Sequence, residues 1–552
     1  MGLPVFPARG NGKGGHKTEM NDEGKGSRFL DEDGPVLELL EKGQRGLAHV
    51  LFSRVGIIVL LLLIQLFLVF AAFYWLNAYL PHFVIVTSLF TAFMGLYLLN
   101  TDMDPSAKIT WLLVILLMPV VGAPLYCYTR SNLGMRILKK RLRDLMGRTK
   151  NSIPQNEEVL AALRKESPGA AALAHYMYRT GCFPVYDHTD VKYYPQGEDK
   201  WHDLLQALEE AKHFIFLEYF IIDEGLMWGR VLEILAQKAK EGVDVRVMYD
   251  GTCEFSTLPH DYPKRLQALG IQCKMFAPMT PFISTHYNYR DHRKIAVIDG
   301  HTAFTGGINL ADEYINRRSR FGHWKDTAIR LRGEAVPSFT LLFLQMWGVN
   351  EKELEVDRFL AYPCKPPMGA KGFVLPYGDC PLDDDKVGER VYMDILNRAQ
   401  DYVYIMSPYL ILDGEMETAL KFAAERGVDV RLVLPGIPDK KIPWALAKTH
   451  YSALLASGVK IYEYSPGFVH AKVFVADDKE AVVGTINLDY RSLYHHFECA
   501  AFLYDTPCIA DIRADTEAAM ARSSLVEKNF MEHEKLSIKL MGFLMKAIAP
   551  LL

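Results

Sequence analysis

Two nineteen-residue stretches carry the side chains with which this chain could do chemistry. The first reads HRKIAVIDGHTAFTGGINL from His292, and the second reads HAKVFVADDKEAVVGTINL from His470. In each, His-x-Lys is followed after four residues by Asp, giving His292, Lys294 and Asp299 in one copy and His470, Lys472 and Asp477 in the other. An asparagine stands 17 residues beyond each histidine, at Asn309 and Asn487. HRKIAVID alternates as a strand does, so His292 and Lys294, two apart, share a face. Asp299, at odd spacing, projects the other way, and Asp299-Gly300 is a good hairpin pair. The two aspartates complete the motif but read as supports of the strand and turn. The returning strand and the GGIN or GTIN turn bring the asparagine back beside His and Lys. Each copy therefore offers one imidazole, one ammonium and one amide on a single surface.

A lone His-x-Lys on a strand implies nothing; two complete copies imply a site built from both. One neutral histidine can attack while the other, protonated, donates to the leaving group. An imidazole of ordinary pKa, about 6.5, suits both tasks. Two lysines and two asparagines converging on one point suit the non-bridging oxygens of a phosphodiester. No carboxylate cluster has metal-site spacing, and the lysines can supply the charge that a divalent ion supplies elsewhere, so neither metal nor cofactor is expected. His495 and His496 are adjacent and would face opposite sides of a strand, which argues against a metal pair. HEKLS at 533–537 lacks the second histidine of a zinc helix, and GNGKGG near the N-terminus is too short and misplaced for a phosphate loop.

The elements that must position these groups repeat as well. FIFLEYFII (214–222), GRVLEILAQKAKEG (229–242) and VDVRVMYDG (243–251) read as strand, helix and strand. YVYIMSPYLIL (402–412), METALKFAAERG (416–427) and VDVRLVLPG (428–436) repeat that order, and GVDVR occurs at both 242–246 and 427–431. The repeat is too long for a solenoid and predicts two copies of one α/β domain facing each other. The Pro/Gly-rich PCKPPMGAKG, 363–372, would join them.

Half of the 552 residues are hydrophobic and 23% are charged, which excludes a disordered chain. Eight cysteines without a C-x-x-C pair exclude a disulfide scaffold and a zinc ribbon. A net charge of −4 gives no electrostatic case for nucleic acid. The apolar excess is local. VGIIVLLLLIQLFLVFAAFYWL, 55–76, has one polar interior residue, Gln65, and no charge. At helical rise it spans roughly 30 Å, a bilayer core. Further apolar runs lie at 83–99 and 109–128, the last interrupted by Pro119, Gly122 and Pro124. The basic flank at 130–150 places the rest of the chain in the cytoplasm, and Arg45 and Arg54 place the N-terminus there too, so the crossings are even in number and one run does not span.

The two HxKx4D motifs match the hallmark of the phospholipase D superfamily without substitution, and the chain resembles that superfamily. WLLVILLMPVVGAPLYCY (111–128), TGGINLADEY, WKDTAIRLRG, NLDYRS and the closing KAIAPLL are similar to the bacterial cardiolipin synthases within it. The resemblance implies a membrane-anchored phosphatidyltransferase acting on phosphatidylglycerol through a covalent phosphohistidine, with His292 as nucleophile and His470 as acid and base. It also implies a carboxylate that orients a catalytic histidine. Glu498 in HHFE suits that role in the second half, and Asp326 in HWKDTAIRLRG is a looser match in the first. The expected organisation is a flexible tail (1–50), a membrane module (51–130), a basic linker (131–170), two phospholipase D-like domains (171–362 and 363–525) and a C-terminal amphipathic helix (526–552). A lipid hydrolase and, less well, a membrane-bound nuclease use the same chemistry. The sequence leaves the oligomeric state open.

Overall fold

The computed structural model describes residues 80–551 apart from 119–121, 131–132, 278–288, 352, 363–368 and 384, and before them 36–39 and six positions between 63 and 71. The first half is built on a seven-stranded sheet. Its strands are β1 (Thr189–Tyr194), β2 (Phe214–Tyr219), β3 (Asp244–Asp250), β4 (Gln272–Phe276), β6 (Lys294–Ile298), β7 (Thr302–Gly306) and β9 (Ala328–Gly333), in the order β1-β9-β7-β6-β2-β3-β4. Two short strands, β5 (Arg290–Asp291) and β8 (His323–Lys325), stand apart from it.

The second half repeats the plan with β10 (Phe373–Asp379), β11 (Tyr402–Met406), β13 (Asp429–Pro435), β14 (Lys460–Tyr464), β16 (Val473–Ala476), β17 (Glu480–Gly484) and β19 (His496–Tyr504). Their order, β10-β19-β17-β16-β11-β13-β14, matches the first half strand for strand, with β20 (Ser523–Leu525) added at the edge. Off this sheet, β12 (Leu410–Ile411) and β18 (Leu488–Asp489) pair with each other. In both sheets the central strands pair in parallel and the motif strands antiparallel. The parallel strands are buried on both faces by helices, which is why β11 reads as an unbroken apolar run and β2 is interrupted only by Glu218.

The halves share one core, which runs from Phe214 and Val297 of the first to Val403 and Phe502 of the second. Two short parallel bridges also cross between them. β5 pairs with the start of β19, setting Phe497 opposite Asp291. β8 pairs with β15 (Gly467–Val469), setting Val469 opposite Lys325.

The N-terminal region departs from expectation. Helix α1 (Leu80–Leu99) contains the run at 83–99. The run at 109–128 is not one helix but two, α2 (Pro105–Leu117) and α3 (Gly122–Arg130). Pro119 lacks the N–H that would continue the first, and Gly122 lets the second fold back: a Cβ there would lie 2.8 Å from Ile115 Cα. Asp104 caps α2 by accepting from Ala107 N at 3.0 Å. Among the described residues no helix is long and apolar enough to cross a membrane, and the run at 55–76 lies almost wholly outside them.

The expected linker at 131–170 is helical instead. Helix α4 (Leu133–Thr149) and the helix Glu157–Glu166 bury Leu142, Leu145, Leu160 and Leu163 in the common core. The boundary at 170 falls inside the helix Pro168–Gly181. The expected flexible tail also has a docked piece. Leu37 N donates to Glu233 Oε1 at 3.0 Å and Leu39 N to Glu224 Oε1 at 2.9 Å, against helix α5 (Leu226–Lys240). The C-terminal segment is not one amphipathic helix: Phe530–His533 and α8 (Leu536–Lys546) are separate, and α8 packs on α6 (Lys441–Ala456). Between those two elements in sequence lies the short helix α7 (Tyr490–Tyr494).

Candidate active site

The bridges explain how the site is assembled. One residue past the β5–β19 pairing, His292 comes level with Glu498; one residue past the β8–β15 pairing, His470 comes level with Asp326. The backbone continues each bridge, with His292 N donating to Phe497 O at 2.9 Å and His470 N to Lys325 O at 2.7 Å. The side chains then meet. His292 Nδ1 is 2.9 Å from both Glu498 carboxylate oxygens, and His470 Nδ1 is 2.6 Å from Asp326 Oδ2. Each histidine is thus held by the carboxylate of the opposite half. With Nδ1–H donated to a carboxylate, Nε2 keeps its lone pair free to react.

Both motif histidines sit just before their strands, not within them, since β6 begins at Lys294 and β16 at Val473. Lys294 Nζ folds back to donate to His292 O at 2.5 Å, and Lys472 Nζ donates to His470 O. Lys472 Nζ also lies 2.9 Å from His470 Nδ1. Nδ1 holds one proton, and the shorter contact to Asp326 takes it.

Asp299 and Asp477 face away from this cleft and have identical tasks. Asp299 accepts from the backbone N–H groups of Lys212, His213 and Phe214 at 2.7–2.8 Å. Asp477 accepts from Gln400, Asp401 and Tyr402 at 2.7–3.0 Å. Each ties the hairpin turn to the start of the neighbouring antiparallel strand, β2 or β11. Both hold φ near +50°, which a turn of this kind requires.

The asparagines differ from each other. Asn309 Oδ1 accepts from Ile221 N at 3.0 Å and its Nδ2 donates to Tyr314 Oη at 2.7 Å, so its amide is not the free donor that was expected. Asn487 is buried, and its Oδ1 has no hydrogen bond. The residues two before them explain GGIN against GTIN. At Gly307 a Cβ would stand 2.0 Å from Asp326 Oδ1, whereas the corresponding Thr485 uses its hydroxyl to donate to Glu498 Oε2.

Burial sets the electrostatics. It pushes His292 well below the ordinary imidazole range, with Lys294, His496, Lys472 and His470 adding to the effect. His470 is pushed down to about 4 by burial and Lys472, against the opposing pull of Asp326. Lys294 falls to about 8 and Lys472 to about 7, again through burial. Glu498 is pushed up by burial, opposed by Lys294. The expectation of ordinary imidazole values fails because burial removes the water that would solvate the charged form. The two crossed histidine–carboxylate contacts bring the half-sites together across the boundary between the domains.

His496 belongs to this site although its sequence position gave no reason to include it. It is buried, its ring centroid lies 5.3 Å from that of His292, and its Nδ1 has no hydrogen bond, standing 3.6 Å from Glu498 Oε1. His292, His496 and Glu498 form one of the groups among the described residues with ligand atoms within 4.8 Å of each other. The ammonium of Lys294, which acts on both His292 and Glu498, opposes a cation there. Around His470 stand Tyr314, Trp324 and Phe468, with ring centroids at 5.4, 5.5 and 5.9 Å. Tyr314 lies in the ADEY sequence that follows Asn309, and that proximity was the available signal for it.

Comparison with known proteins agrees with this geometry. A family model described as "Cardiolipin synthase, PLD-like domain" matches residues 204–320 and 392–520, one stretch in each half. A second, described as "Phospholipase_D-nuclease N-terminal", matches 85–127. A cardiolipin synthase of Alkalihalophilus pseudofirmus is 32% identical over 88% of this chain and 98% of its own. One from Geobacillus sp. is 33% identical over 91% of this chain and its full length. An uncharacterized protein of Streptococcus mutans is 57% identical over 83% of this chain and 99% of its own. Among solved structures, the phosphatidylserine synthase of Haemophilus influenzae matches with a TM-score of 0.51 at 15% identity, covering 65% of this chain and 93% of its own, a likeness of fold. The duplicated half-sites and the near full-length similarity lead to one conclusion: the chain belongs to the cardiolipin synthase family of phospholipase D-like phosphatidyltransferases.

Proposed function

We propose that the protein transfers a phosphatidyl group from one phosphatidylglycerol to a hydroxyl of another, making cardiolipin and glycerol, through a covalent intermediate on His292. The observation that carries this reading is the crossed pair of histidine–carboxylate contacts, which leaves two imidazole Nε2 atoms and two lysines in one cleft. His292 Nε2 attacks phosphorus while Glu498 holds its Nδ1–H. The phosphorus–oxygen bond to the leaving glycerol breaks, and that oxygen takes the proton of His470. An anionic phosphodiester entering the cleft raises the affinity of His470 for this proton, which the empty site disfavours. The second phosphatidylglycerol then gives its hydroxyl proton to His470, its oxygen bonds to phosphorus, and the bond to His292 breaks. Lys294 and Lys472 balance charge on the non-bridging oxygens throughout, and Asn487 is the amide available to join them. His470 is left with the proton it held when the first lipid was bound.

Labelled phosphatidylglycerol tests the scheme. Alkaline quenching should trap label on the wild-type chain, none on His292→Ala, and more on His470→Ala, whose adduct forms slowly and turns over more slowly still. Label retained on His292→Ala would overturn the assignment.

Membrane attachment follows the same reading. Val36–Leu39 lies on the first catalytic domain, which supports an even number of crossings between residues 36 and 130. On this proposal the folded-back α2–α3 pair does not cross, and the apolar runs at 55–76 and 83–99 are the candidate crossings that the sequence offers. The basic flank at 130–150 puts the catalytic domains in the cytoplasm. Cysteine-labelling reagents that do not cross membranes should reach a cysteine placed at Ala78 from outside and one placed at Asp102 only from within.

A further inference from the structure

Helix α8 is apolar on more sides than the fold uses. Its inner side rests on α6, where a Cβ at Gly542 would come within 2.6 Å of Ala445 O. Its outer side carries Leu536, Leu540, Phe543 and Leu544, which are 55–79% exposed. Their spacing makes a single stripe along the helix. Lys535, Lys539 and Lys546 lie along its edges and ends. A run of four large apolar side chains in water is a liability unless something covers it.

Two contacts indicate what does. Ala547 O, just past the end of α8, accepts from Thr110 Oγ1 of α2 at 2.8 Å. Ala549 is buried with Ile411, Leu446 and Tyr490, the last lying three residues beyond Asn487. Helix α2 itself exposes Ile109, Leu113, Leu116 and Leu117. The stripe on α8 therefore continues an apolar surface that the N-terminal module begins, and the chain end fastens both to the wall of the catalytic cleft.

We propose that α8 lies in the boundary between headgroups and acyl chains of the bilayer that holds the N-terminal module. Its stripe faces the acyl chains and its lysines face anionic phosphates. The proposal rests on the reading of the substrate as a bilayer lipid. Continuity with α2 favours a bilayer over a second copy of the chain, and the flanking lysines complement anionic lipid. The helix would then set the height of the cleft above the surface, through Tyr490, so that a phosphodiester is reached without leaving the leaflet.

The test uses the full chain reconstituted in vesicles of phosphatidylcholine and phosphatidylglycerol. Phe543→Trp should add an emission component, relative to the parent with its seven tryptophans, that is blue-shifted and quenched by lipids brominated on their acyl chains. A component that stays water-like and unquenched overturns the proposal. So does one that is shifted but unquenched in particles of dimer mass, which would mean a second copy covers the stripe. In the double variant Leu540→Ser/Phe543→Ser, turnover on vesicles relative to turnover on micellar short-chain phosphatidylglycerol should fall about tenfold or more; an unchanged ratio also overturns it. Fluorescence needs no turnover, so an error in the assigned reaction would appear separately, as absence of transfer from either substrate form.

Discussion

His292 and His470 are served by the same kinds of group but not held equally. Glu498 is itself fixed by the Thr485 hydroxyl, while Asp326 Oδ1 accepts from its neighbour Thr327 N at 2.8 Å. Removing either carboxylate should be costly in a way that tells the two apart. Glu498→Gln should slow formation of the trapped adduct, and Asp326→Asn should slow its discharge, each by about 10²–10⁴-fold, the usual worth of an oriented acid or base; rapid-quench kinetics on labelled lipid would read both. The lysines predict a pH profile. A lysine whose pKa is depressed keeps its charge only below that lowered value and loses it as pH rises through it. Because His470, at about 4, must take up a proton to act, kcat/KM, which reports the free enzyme, should already fall as pH rises above that value and steepen as Lys472, at about 7, and Lys294, at about 8, lose their charge. Lys472→Arg, always charged, should move the steepening upward even where its absolute rate is lower. A profile flat up to the ordinary lysine range would contradict the assignment. At this scale the sequence was most legible: both motifs stood out from spacing, and Glu498 and Asp326 were candidates from resemblance alone, whereas Asn309 turned out to be bonded to Ile221 and Tyr314. The pKa values were not, because spacing does not report burial, and His496 was missed because an adjacent histidine pair on a strand says nothing of what each face meets.

The elements that matter most are among the shortest. β5 has two residues and β8 has three, yet their bridges to β19 and β15 set the register that brings each histidine to its carboxylate. No periodicity can be seen in so few residues, and their partners lie far away in sequence, which is why the duplicated sheets were predictable and the crossing between them was not. The same register explains Gly307. Any side chain there meets Asp326 and, at 2.9 Å, His470 O, so Gly307→Ala should displace the carboxylate and lower transfer about tenfold or more, in line with overpacking costs of about 1–3 kcal/mol. Thr485→Val, which keeps the shape and removes the hydroxyl that holds Glu498, should act through His292 and so slow both formation and discharge of the adduct. Circular dichroism melts would confirm that both variants fold. In the N-terminal region the sequence showed the proline and glycine at the break between α2 and α3 but not how the two helices pack; the close approach of Gly122 to Ile115 shows that they fold against each other.

For the whole molecule, the chemistry has no activated donor: one phosphodiester is exchanged for another like it. The overall equilibrium constant should be near unity, with a driving force on the order of RT, and the phosphohistidine would only conserve the bond energy between half-reactions. Enzyme incubated with cardiolipin and high glycerol should therefore return phosphatidylglycerol, and the forward reaction should release one glycerol per cardiolipin. Phosphatidic acid dominating in both directions would mean that water is the acceptor. Chelation by EDTA should leave the rate unchanged, since lysines carry the charge that a metal otherwise would. The crossed carboxylates have a consequence for symmetry as well. Neither half owns a working histidine: the first supplies His292 and the acid for its neighbour, and the second supplies His470 and the acid in return. A symmetric homodimer of single halves would need the same crossing, each subunit completing the other. Within one chain the twin positions are not bound to match, and Gly307 and Thr485 do not.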